Sequence, residues 1–125
     1  MRYIAFLLLL CSATINLKSQ DTYIINYIEI YENNEVSYGD SRIYGGDRII
    51  IDKKNNRITL ALASEKQEIF RILKSKPIDD EILYSCETKT ENGLIEVDVF
   101  YDEFYKYFKF IRKGESGNFV KYYFR

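Results

Sequence analysis

Asp79-Asp80-Glu81 are three consecutive carboxylates, Glu96 and Asp98 stand two residues apart, and Cys86 is a thiol well separated from Cys11. These residue types could hold a cation, act as an acid–base pair or serve as a nucleophile. A calcium loop spreads its ligands over about 12 residues around a central Gly, and the triplet does neither; following Pro77, it reads as a solvated polar turn. On a strand, Glu96 and Asp98 would share a face about 7 Å apart, a spacing open to a glycosidase acid pair. The alternation around them reads instead as the wet face of a half-buried strand. A catalytic Cys86 would need an activating base or a helix N-terminus. Its sequence neighbours are Ser85 and Glu87, and a carboxylate disfavours the thiolate, so Cys86 reads as a small buried hydrophobe. The chain has no His, which removes Ser-His-Asp and Cys-His systems and zinc sites built on imidazole. It has no Gly-rich phosphate loop ending in Lys-Ser/Thr; Gly45-Gly46 is turn chemistry. No catalytic, cofactor-binding or metal-binding residue is assigned, no cofactor is expected, and the protein is read as non-enzymatic.

One constellation points to binding. Eleven of the 20 Phe and Tyr residues fall in residues 100–125, interleaved with Lys106, Lys109, Arg112, Lys113, Lys121 and Arg125. Residues 79–103 hold nine acidic residues and one basic one, Lys89. Cross-strand pairing of opposite charges would explain that asymmetry without a ligand. The alternative is an aromatic and basic face for a partner or an anionic ligand, since Tyr and Arg are favoured at interfaces. Tyr105, Lys106, Tyr107, Lys109, Arg112 and Tyr123 are its candidate residues. The partner would be an unknown protein or small ligand; the mild acidity argues against nucleic acid.

The elements that must position these residues are strands. Residues 23–31 are rich in Ile and Tyr, both strand formers, and end at the polar turn Glu32-Asn33-Asn34-Glu35. A weaker strand over 36–44, a short one over 48–52 and another over 58–63 follow. In the last, Ile58, Leu60 and Leu62 share a face. Residues 64–74 are ambiguous. Ser64-Glu65-Lys66-Gln67 fits a capping box and Ile69, Ile72 and Leu73 lie at helical spacing, but the strands on either side favour a hairpin strand that Pro77 closes. Asn92-Gly93 predicts a type I′ hairpin between residues 82–88 and 94–101. Ile95, Val97, Val99 and Tyr101 then face one way. Strands over 105–112 and 119–124 complete the chain. About eight short antiparallel strands at regular spacing predict an all-β meander that closes into a barrel or splits into a two-sheet sandwich. The apolar last strand is a poor free edge, and its natural partner is the first. The shape resembles lipocalin-like barrels in general outline only: their Gly-x-Trp is absent, because the chain has no Trp.

The N-terminus sets the expected location. Arg2 precedes the apolar run Ile4–Leu10, and Ser12, Ala13 and Thr14 follow, the order of a secretory signal peptide. The run is too short for a transmembrane helix, which needs about 20 residues. Cleavage is expected between residues 13 and 20, leaving 21–125 as one β domain. Cys11 could instead carry a lipid anchor, although Leu10 stands where a lipobox wants a small residue. There is no N-x-Ser/Thr sequon, and the Ile, Lys, Asn and Tyr bias suits an AT-rich bacterial sequence. The expected protein is exported, periplasmic or extracellular. It is a binding or interaction domain or, alternatively, an envelope-associated structural accessory without a small-molecule ligand; a carboxylate-dependent enzyme ranks last.

Overall fold

Apolar alternation broken by polar turns gives strands that each bury one face, and such strands are stable only when a sheet closes or stacks over those faces. The computed structural model describes residues 20–42, 45–63 and 65–125. The expected signal segment and Cys11 lie outside the described residues, as do Ile43, Tyr44 and Ser64. Nine strands are described: β1 (Gln20–Glu32), β2 (Glu35–Ser41), β3 (Arg48–Asp52), β4 (Arg57–Ala61), β5 (Glu68–Ile78), β6 (Glu81–Thr90), β7 (Gly93–Asp102), β8 (Tyr107–Arg112) and β9 (Phe119–Phe124). No helix among the described residues is long and apolar enough to cross a membrane.

Every strand pairs antiparallel with its neighbours, and β9 returns to β1 with Ile28 opposite Tyr122 and Tyr31 opposite Phe119. The result is an eight-stranded closed barrel plus one extra strand; the closed barrel, rather than the sandwich, is the form adopted. β1 is long enough to serve three partners. Its first half pairs with β3, its second half with β2 on one edge and β9 on the other. β2 is the added strand, and its Val36 and Tyr38 are exposed.

Inward positions alternate as the sequence dictates. Val97 and Val99 on β7 face Arg112 and Phe110 on β8, and Tyr101 faces Phe108. One end of the barrel is plugged by Tyr23, Tyr101, Phe108 and Phe124, whose ring centroids lie 4.8–6.0 Å apart, within the range at which aromatic pairs attract. Above this plug Ile25, Ile51, Ile58 and Val99 are fully buried.

Three local expectations are corrected. Residues 68–74 are strand, but β5 runs on to Ile78, with Pro77 opposite Ile82. Pro77 does not close the segment; it sits within two residues of the strand end, where a missing N–H is tolerated. The turn is only Asp79-Asp80. The helical spacing of Ile69, Ile72 and Leu73 comes from a bulge: the β5–β6 register shifts between Ile72 and Lys74, so Leu73 is an extra residue that breaks the period of two. The Asn92-Gly93 turn is not type I′. That type needs positive φ at both central residues, whereas Gly93 (φ 109°) has it and Asn92 does not; the turn centres on Glu91-Asn92. Ile82 shares the inward face of β6 with Tyr84 and Cys86 but lies at the barrel end, where it is 37% exposed.

Candidate functional site

The six candidate surface residues do not form one patch. Period-two alternation on β8 sends Tyr107 and Lys109 outward but Arg112, opposite Val97, inward. Tyr105 and Lys106 lie on the turn between β7 and β8, exposed beside Phe104. Tyr123 on β9 joins Tyr107 on the outer face, with centroids 5.8 Å apart.

On that outer face Lys109 and Lys121 stand opposite each other, an unfavourable pairing of like charges relieved by rings. The Lys109 ammonium lies 4.4 Å from the Phe100 centroid and 5.3 Å from that of Phe119. Lys121 lies 4.5 Å from Tyr107 and 5.1 Å from Tyr31. Each is within cation–π reach. Glu29 accepts hydrogen bonds from Tyr123 (2.6 Å) and Tyr31 (2.9 Å), and Glu81 accepts one from Tyr107 (3.0 Å). Desolvation, then these bonds to carboxylates, raises all three phenols above their ordinary pKa. Charge pairing between the acidic and basic runs is therefore a minor part of the explanation. Of the tail cations, Lys113 alone forms a salt bridge among the described residues, to Glu96 at 2.7 Å. The other cations on this face rest on aromatic rings.

Two of the carboxylates considered for chemistry, Glu81 and Glu96, have structural partners. Glu96 is held by Lys113 and Glu81 by Tyr107. Among the described residues no group of three or more His, Cys, Asp or Glu is gathered in metal-binding geometry. Cys86 is 1% exposed; burial first, then the charge of Asp98, pushes its thiol up to about 12.

The barrel is open at the end opposite its aromatic plug. A cavity of about 830 Å³ enters between the β4–β5 loop, the β6–β7 turn and the end of β8. Its floor is an aromatic triad: Phe70 and Phe110 meet at 5.0 Å, Phe110 and Tyr122 at 5.2 Å, both edge to face. Ile95, Val97 and Val120 form the wall. Two charged side chains occupy inward register positions at the lip. Glu68 on β5 is opposite Leu60, and Arg112 on β8 is opposite Val97. Burial, then the nearby Glu68 and Glu65, raises the Tyr122 phenol well above its ordinary value.

Of this set, sequence reading selected only Arg112, and for an outer face. Phe110, Val120 and Tyr122 alternate regularly and could have been read as one inward row. Glu68 and Phe70 were hidden because the Leu73 bulge makes their strand resemble a helix. No family model, curated protein or solved structure matches this chain.

Proposed function

We propose that this protein is an exported, non-catalytic binding domain that takes an apolar or amphipathic small molecule into the open end of its barrel. The carrying observation is the 830 Å³ cavity with its floor of Phe70, Phe110 and Tyr122. An eight-stranded barrel is just wide enough to be filled by side chains or to hold one small ligand, and ligand cavities run from about 300 to 1,000 Å³ with mostly apolar walls and few polar groups. The outer face gives weaker support to a binding role, because its lysines, tyrosines and glutamates already satisfy one another. Export rests on the residue order of positions 1–14, and the non-catalytic reading on the lack of His and on the inert setting of Cys86.

Fluorescence of N-phenyl-1-naphthylamine, which brightens in apolar surroundings, tests the reading. The full chain should enhance it saturably. Ile95→Trp and Val120→Trp, each adding bulk at a half-buried wall position, should abolish the enhancement while the protein still melts cooperatively. No enhancement by the parent protein, or full enhancement by both folded variants, would overturn it.

A further inference from the structure

The cavity lip carries charges of both signs: Glu68 and Arg112 at inward strand positions, with Glu65, Lys66 and Lys89 also on the lining; from this we infer that the barrel selects amphiphiles with a zwitterionic head, the cationic group directed to Glu68 and the anionic group to Arg112, and the inference rests on the binding reading above. Glu68 and Arg112 are both inward register positions, and both line the cavity. They stand on β5 and β8, three strands apart around the barrel, so they face the opening from different walls. Neither forms a salt bridge with any described residue.

Glu68 and Arg112 thus stand on different walls of the opening and do not pair with each other. A ligand with one charge would engage only one of these two inward groups. A head carrying both satisfies both, while its tail covers the Phe70–Phe110–Tyr122 floor. Thr88 and Thr90, also on the cavity wall, donate their hydroxyl protons to the Ile69 and Gly93 carbonyls and offer a ligand only oxygen lone pairs.

Displacement of N-phenyl-1-naphthylamine by three dodecyl amphiphiles below their micelle concentrations separates the possibilities. Dodecylphosphocholine carries both charges, laurate the anion and dodecyltrimethylammonium the cation. Dodecylphosphocholine should bind roughly tenfold tighter than either singly charged probe, the weight of one additional charge-assisted contact. Arg112→Gln should weaken dodecylphosphocholine and laurate, with Arg112→Lys restoring most of the loss. Glu68→Gln should weaken dodecylphosphocholine and dodecyltrimethylammonium. Equal affinity for all three amphiphiles, or unchanged dodecylphosphocholine binding in either amide variant, would overturn the zwitterion inference and leave the cavity reading standing. Failure of the naphthylamine itself to bind would remove the cavity reading first.

Discussion

Cys86 and Asp52 show how one side chain's surroundings decide its behaviour. Cys86 shares an inward row with Tyr84, so its burial is legible in the alternation. Its thiol pKa of about 12 lies above the unfolded value of about 8.5. The protonated thiol is thus favoured by folding, and that stability is complete below about pH 8.5 and lost as the pH climbs toward 12. Native protein should resist a disulfide reagent at about pH 8 and react at once in denaturant, and Cys86→Ala should lose part of the alkaline fall in stability. Rapid labelling of folded protein would contradict this. Asp52 is the opposite case. Its carboxylate accepts from the Asn55 side chain (2.9 Å) and backbone (3.2 Å) and from Gln20 (3.3 Å), with Arg57 nearby. The Asn55 side-chain bond leads in holding its pKa below the ordinary value. Stability from a lowered pKa is present above the unfolded value of about 3.9 and lost as pH falls through the folded one. Urea titrations across the acid range should show Asp52→Asn less stable at neutral pH and flatter on the acid side; an unchanged acid slope would deny Asp52 this role. The buried capping position of Asp52 is not legible in sequence, where it is one more acid beside a turn.

At the scale of elements, the same turn is built twice. Asp52 precedes the four-residue turn 53–56 and Asp102 precedes 103–106. Each Asp accepts from the backbone amide three residues on, Asn55 at 3.2 Å and Tyr105 at 2.8 Å. Each turn ends in a left-handed residue, Asn56 (φ 51°) and Lys106 (φ 57°). Asn tolerates that conformation, whereas Lys bears a Cβ clash. Lys106→Gly should therefore raise the melting temperature, with a gain of up to about 1 kcal/mol; a lower melting temperature would show that the Lys106 side chain has a stabilising contact. Asp102→Ala should lower stability by about 1 kcal/mol, the worth of a backbone hydrogen bond to a buried partner. The presence of these turns is plain from composition. Their geometry is not, because polar residues such as Glu91-Asn92 suit several turn types and the register of the flanking strands selects one. The bulge at Leu73 is likewise invisible, since one extra residue turns a period of two into a pattern that imitates a helix.

For the whole molecule, closure is the decisive event. β9 lies between β8 and β1, with Tyr122 and Phe124 buried and Val120 against the core. Each large side chain contributes about 1.5–3 kcal/mol on burial, against a net stability of about 5–15 kcal/mol for a domain. Deleting residues 119–125 should abolish cooperative unfolding or leave the protein insoluble, because it opens the barrel along two edges at once. A truncated chain that still melts within a few degrees of the parent would show that closure is dispensable. Export, proposed from the N-terminal residues, predicts that intact-mass measurement of protein recovered outside the cytoplasm finds a chain starting between residues 14 and 21. A species retaining Met1 would argue against it, and added lipid mass on Cys11 would identify a lipoprotein.

Alternating apolar residues and polar turns determine by themselves that the chain is a strand meander, that Ile58, Leu60, Val97, Val99 and Cys86 face inward, and that the last strand seeks the first, because side-chain period and edge avoidance are local properties of the chain. Tertiary structure alone decided the rest. It separated Arg112 from Lys109 and Tyr107, since neighbouring strand positions point through opposite sides of the wall. It gave Lys109 and Lys121 rings for neighbours, since barrel closure placed β8 and β9 side by side. It left one end of the barrel open, with Glu68 on β5 and Arg112 on β8 among the residues lining it, since the volume inside a barrel depends on how eight strands fill it together. No segment of sequence carries that sum.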